Sequence, residues 1–143
     1  MTITKSAAAL VLLSVVAATT YAQEGVINHR KGVMEALGGH FGASLAIVKG
    51  ESQFAGDRAF HADSIARLAK IAVDSYPEGS GTGKTKAKPE IWTQPAKFDE
   101  AMQTFVDAAQ ALAAAGDDNK AYMASFKSLG ESCKGCHDAF KEE

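Results

Sequence analysis

Cys133-Lys134-Gly135-Cys136-His137, close to the C-terminus, is the stretch around which the rest of the chain makes sense. Cys-x-x-Cys-His is the attachment pattern of a c-type haem. The spacing has a physical reason. On a helix, positions i, i+3 and i+4 share one face, about one turn apart. Two thiols so placed can each add to a vinyl group, and the adjacent imidazole turns to the iron as proximal ligand. Lys134 and Gly135 lie between the thiols and leave that face free of bulk. Other chemistries also use two cysteines. A redox dithiol accompanies a βαβ pattern, and this chain has none. A zinc site wants four ligands, and His29, His40 and His61 are far away in sequence and not paired. A structural disulfide fits an exported protein but gives His137 no role. Disulfide and haem-free dithiol stay as the alternatives to haem.

Residues 1–22 read as a secretory signal peptide, with Lys5 as the positive end, Ser6 to Ala18 as a short apolar run, and Thr20-Tyr21-Ala22 as the cleavage site. Gln23 would then open the mature chain, residues 23–143, as a single domain in the periplasm. The apolar run is too short for a membrane span, and no other stretch crosses a bilayer. Cleavage removes Lys5 and no acid, which leaves 14 Lys+Arg against 17 Asp+Glu, a net charge of −3. So mild a charge gives no reason to expect nucleic acid or an anionic membrane as partner. Both cysteines sit in one motif, so no disulfide framework is being built.

Upstream of the motif, apolar residues recur at three- and four-residue steps. Val26, Val33, Met34, Leu37, Phe41, Leu45 and Val48 predict a first helix over 26–49, capped by Asn28 and stopped by Gly50. Gly38, Gly39 and Gly42 each cost this helix about 1 kcal/mol. Close approach of another helix or of a flat cofactor would offset that cost; simple tolerance is the bland alternative. Asp57 predicts the start of a second helix with Ala62, Ile65, Leu68, Ala69, Ala72, Val73 and Tyr76 inward, ended by Pro77 and Gly79. Glu78 to Pro89 reads as an exposed loop carrying Lys84, Lys86 and Lys88, either plain solvated surface or a docking patch for an acidic redox partner. Its Gly79 to Lys84 run lacks P-loop spacing and a preceding strand. Ile91 and Trp92 lead into a third helix, with Thr93 or Gln94 as cap and Pro95 in its first turn. Phe98, Met102, Phe105, Ala109 and Leu112 form its inner face, and Gly116 follows its end. Asp117 or Asp118 caps a fourth helix, whose face runs Tyr122, Phe126, Leu129, Cys133, Cys136, Phe140. With no period-two alternation anywhere, the expected fold is all-α, an antiparallel four-helix bundle. Alanine-rich helices two and three thin its core, and an inserted haem would restore the bulk.

The chain resembles the class II c-type cytochromes, the cytochrome c′ family. The resemblance rests on the C-terminal motif Cys133 to Phe140, on Arg30-Lys31-Gly32-Val33-Met34 with Gly39-His40-Phe41-Gly42 after it, and on Lys88-Pro89-Glu90-Ile91-Trp92. It implies one covalent haem c with thioethers from Cys133 and Cys136, and His137 as proximal axial ligand. It also implies that the first helix covers the other haem face, with Met34 over the iron and Arg30 near a propionate, a sensible carboxylate partner. Met34 leaves two states open. A sulfur ligand raises the potential and suits an electron carrier that docks on redox partner proteins. An apolar cover leaves an open iron that binds NO or CO, as in nitric oxide protection. Met102 and Met123 are lesser sulfur donors, and His29, His40 and His61 are expected to stay off the iron. No nucleophile with a base and no carboxylate pair suggests an enzyme. The glycines of the first helix, and the family habit, suggest a homodimer.

Overall fold

The computed structural model describes the backbone of residues 5–143 and the side chains of residues 23–143. The expected signal peptide, residues 1–22, lies outside the described side chains. Four long helices form the body: α1 (Lys5–Val48), α2 (Arg58–Val73), α4 (Pro95–Ala114) and α5 (Asn119–Phe140), with a one-turn α3 (Glu90–Thr93) before α4. Among the described residues there is no strand, only an isolated antiparallel bridge between Ala87 and Lys141. The fold is the expected four-helix bundle. Among the described residues no helix is long and apolar enough to cross a membrane.

The core is built from the expected stripes, with instructive differences at their ends. Phe98, Met102, Phe105, Ala109 and Leu112 of α4 are buried, as are Tyr122, Phe126, Leu129 and Phe140 of α5. Val33 and Leu37 of α1 are buried too, but Ile27 rather than Val26 leads that face. On α2, Ala66 joins the core and Val73 faces solvent, because the inward stripe leaves the helix through Ala72 toward Ser75 and Tyr76. Asn28 does not start α1; it sits inside a longer helix. Nothing between Ala22 and Val26 breaks helical geometry except Gly25, whose cost of about 1 kcal/mol is too small to stop propagation. Asp57 stands at the α2 cap position, yet its side chain makes no cap bond. A 3-10 turn over Ala55–Asp57 feeds straight into the helix and holds Asp57 at φ −85°, ψ −2°, not in the extended region from which a side chain reaches back. Gln94 occupies the α4 cap position, also without a side-chain cap bond, and Pro95 follows at N1. Asp118 does cap α5, accepting from the Ala121 N–H at 3.0 Å. Gly50 (φ +72°) and Gly116 (φ +53°) make the left-handed turns after α1 and α4 that other residues adopt only under strain.

Helix α1 packs on α2, α2 on α4, and α4 on α5, whereas α1 and α5 are not close-packed. The site lies in that gap. The long connection between α2 and α3 closes one end of it; Glu78 to Pro89 is largely exposed, as its composition suggests, but its inner side is anchored. Ser75 and Ser80 are buried, the Trp92 ring packs against Gly81, and Trp92 Nε1 donates to the carbonyls of Tyr76 and Pro77, each at 3.2 Å. A Cβ on Gly81 would stand 2.7 Å from the indole, so only glycine lets the ring seat there. Further along, Lys88 N–H donates to Phe140 O and Glu142 N–H to Lys86 O, which ties the connection to the end of α5.

Candidate functional site

Between α1 and α5 lies a cavity of about 800 Å³, well inside the range of cofactor pockets. Its α5 wall carries Cys133, Cys136 and His137, the whole attachment motif on one side. The α1 wall carries Met34, Leu37, Gly38 and Phe41, with Arg30, Lys31 and Glu35 beside them. Aromatic packing fixes both walls: Phe41 stacks on Phe126 with centroids 4.6 Å apart, and Phe140 meets Phe98 edge to face at 5.2 Å. Sequence spacing alone therefore placed the three motif side chains correctly, and α1 faces them across the gap.

The motif's chemistry fits its surroundings. Cys133 and Cys136 are half-buried and not bonded to each other. Burial pushes the Cys136 thiol up to about 11, with the neighbouring Cys133 adding to the rise. Burial also raises Cys133, against a hydrogen bond from Ser132. His137 sits at the cavity mouth, where desolvation by the walls lowers its pKa, Lys141 lowers it further, and Asp138 opposes both. A neutral imidazole is the form that ligates a metal. Lys134 and Asp138 pair with each other on the outer face of α5.

The glycines of α1 settle one expectation in part. Apart from the adjacent residues and the backbone of α1 itself, nothing stands within 4 Å of where a Cβ would sit at Gly38, Gly39 or Gly42, so no other helix approaches them closely. Gly38 lines the cavity, so there the space belongs to whatever fills the gap.

Arg30 has a role that no sequence pattern indicated. It is 3% exposed. Nη1 donates to Ser75 O (3.2 Å) and Ser80 Oγ (2.9 Å); Nη2 donates to Ser80 O (2.9 Å) and Thr85 Oγ1 (2.8 Å). All four terminal N–H groups thus hold the connection, which leaves Nε–H as the remaining donor. The guanidinium also lies 4.9 Å over the Tyr76 ring. Burial lowers Arg30 from its usual pKa, with Tyr76 acting against that, and burial pushes the Tyr76 hydroxyl up to about 12, reinforced by Cys136 and opposed by Arg30. Tyr76 lines the cavity, a position its place on the α2 stripe foreshadowed.

The other candidates sort cleanly. Met102 is buried and reaches the cavity wall from α4, while Met123 is exposed and lines no part of it. His29, His40 and His61 are absent from the wall. His40 and His61, expected to be unpaired, in fact meet at 2.9 Å. They are 21 residues apart on different helices, so only the α1–α2 packing reveals it. The lysine cluster divides: Lys84 and Lys86 stand on the cavity rim, whereas Lys88 donates to Asp138 O at 3.0 Å.

Residues 25–141 match the family described as Cytochrome C'. The chain belongs to the cytochrome c′ family. Cytochrome c' of Pararhodospirillum photometricum is 36% identical over 122 residues, covering 83% of this chain and 98% of that protein. Cytochrome c prime from Shewanella frigidimarina superposes with a TM-score of 0.80 at 35% identity, over 85% of this chain and 97% of that one. A nitric oxide complex of a cytochrome c prime variant from Alcaligenes xylosoxidans gives 0.77 at 29% identity, over 85% and 97% of the two chains. Cytochromes c′ are haem-binding proteins that carry one covalent haem c, and the motif-lined, apolar gap between α1 and α5 is of the size and chemistry to hold it.

Proposed function

We propose that this cytochrome c′ is exported to the periplasm and binds a small diatomic gas, NO or CO, on the α1 side of its haem. The observation that carries the proposal is the α1 wall. Facing the attachment motif it presents Met34, Leu37, Gly38 and Phe41, an apolar stretch flanked by Arg30, Lys31 and Glu35. An apolar surface of this kind suits an uncharged diatomic better than a charged ligand. The nitric oxide complex of the Alcaligenes xylosoxidans relative agrees with this use of the fold.

Each residue then has a defined task. Cys133 and Cys136 form the thioethers, and His137 supplies the proximal imidazole. Met34 covers the distal face. Arg30 would have its remaining Nε–H available for a haem propionate, while its other donors fix the connection. Bound haem supplies the iron that accepts the gas and exchanges one electron. Residues 1–22 act as the cleaved signal peptide, so N-terminal sequencing of the mature protein should begin at Gln23. Ile71 and Val73, exposed on α2, support pairing of two copies.

The presence of Met34 on the cavity wall favours one second reading, electron transfer with sulfur as sixth ligand and acidic partners docking at Lys84 and Lys86. Optical spectra of the oxidised and reduced protein and of Met34→Ala separate the two. Gas binding predicts a broad high-spin spectrum, a rapid change with CO, and faster CO binding in Met34→Ala. A far-red sulfur-to-iron band in the wild type that Met34→Ala abolishes would reject it in favour of electron transfer.

A further inference from the structure

We propose that His40 and His61 form a second metal site, a two-histidine clamp between α1 and α2 for a divalent transition ion, tightest for Cu(II). The site is separate from the haem cavity, whose walls include neither residue. The two Nδ1 atoms are 2.9 Å apart, and the ring centroids are 5.2 Å apart. At that separation both nitrogens cannot carry hydrogen, because the two N–H bonds would collide. One Nδ1 therefore presents a lone pair and the other donates to it. A metal ion replaces the single proton held between them. Two N–metal bonds form and one Nδ1–H bond breaks; that imidazole takes a proton at Nε2 instead and stays neutral, so the exchange is a change of tautomer with no net release of a proton.

The spacing fits this exchange without backbone movement. Two imidazole nitrogens about 2.0–2.1 Å from one ion lie about 2.9 Å apart at right angles, and about 3.4 Å apart in a tetrahedron. The observed 2.9 Å matches the right-angled case, the geometry of tetragonal Cu(II) or Ni(II). Phe60 packs edge-on against both rings, with centroids at 5.7 Å from His40 and 5.5 Å from His61, and it restrains their orientation. Both histidines are only half-buried, so an ion can enter. No three His, Cys, Asp or Glu side chains converge anywhere among the described residues. Water therefore completes the coordination, and the site is an open one that exchanges its ion. In the affinity order for nitrogen donors Cu(II) exceeds Ni(II) and Zn(II).

The test is calorimetric titration of the ferric, haem-loaded protein with Cu(II) and with Zn(II), alongside thermal unfolding. The wild type should take up one Cu(II), more tightly than Zn(II). His40→Gln and His61→Gln should each weaken Cu(II) binding at least about tenfold, because each removes one arm of the chelate. His29→Gln should bind as the wild type does. Saturating Cu(II) should raise the wild-type Tm and leave both clamp variants unmoved, since only the folded clamp gains from binding. Wild-type affinity in either clamp variant, loss of binding in His29→Gln, or a wild-type Tm that Cu(II) does not change would each overturn the proposal.

Discussion

Arg30→Gln is the perturbation that most sharply tests how the site is held together. The wild-type side chain makes four hydrogen bonds to Ser75, Ser80 and Thr85, and two of the acceptors are backbone carbonyls of buried serines. Charge-assisted bonds contribute about 1.5–3 kcal/mol each, but four bonds to one guanidinium are not additive. Glutamine keeps two N–H donors on a shorter stem, so about two of the four bonds are lost, a gross loss of about 3–6 kcal/mol. Relief of the cost of burying the charge, the same desolvation that lowers the Arg30 pKa, offsets part of it. The net expectation is a destabilisation of about 2–3 kcal/mol. Guanidinium unfolding of the haem-loaded protein measures it. Hydrogen exchange locates it, with protection lost over residues 75–87 and kept over α4 and α5. The haem spectrum should be nearly unchanged, because the anchor acts on the connection. A variant whose stability moves by less than about 0.5 kcal/mol, with exchange over 75–87 as in the wild type, would refute the assignment of Arg30 as the anchor of that connection.

Two further outcomes follow from buried groups. Tyr122 OH and Ser44 Oγ are buried without a protein hydrogen-bond partner, a burden of about 1–3 kcal/mol per group, so Tyr122→Phe and Ser44→Ala should each raise the Tm by a few degrees; a fall in both would show that these hydroxyls are satisfied in solution. Tyr76 has a folded pKa of about 12 against an ordinary value of 10.0, chiefly from burial. A raised folded pKa contributes stability that is complete below pH 10 and is lost as pH climbs through about 12. The wild type should therefore lose stability over that window more steeply than Tyr76→Phe, and parallel pH curves from chemical unfolding would contradict the burial.

Much of the bundle was written into periodicity. The apolar stripes of α4 and α5 are buried where the three- and four-residue steps put them, and Gly50, Gly116, Pro95 and Asp118 end or begin helices as their local chemistry dictates. Such signals are local: they depend on which φ/ψ a residue tolerates and which face it shares with its neighbours one turn away. The motif was legible for the same reason, since Cys133, Cys136 and His137 share a face of one helix. Boundaries were less legible where a cap competed with a strong helical run on both sides, as at Asn28.

What the chain order could not show was every partnership formed across long sequence separations. Arg30 meets Ser80 and Thr85 fifty or more residues downstream, and His40 meets His61 only because α1 lies on α2. The Gly- and Ser-rich connection looked like solvated loop by composition, yet packing of Trp92 on Gly81 and the bonds from Arg30 turn it into one end wall of the cavity. By itself the sequence determined four amphipathic helices and one face that carries the haem-attachment motif. Only the tertiary structure decided that α1 and α5 stand apart to leave room for it. Helical periodicity constrains the side chains of a single helix, whereas the width of a gap depends on how all the helices and their connections pack together.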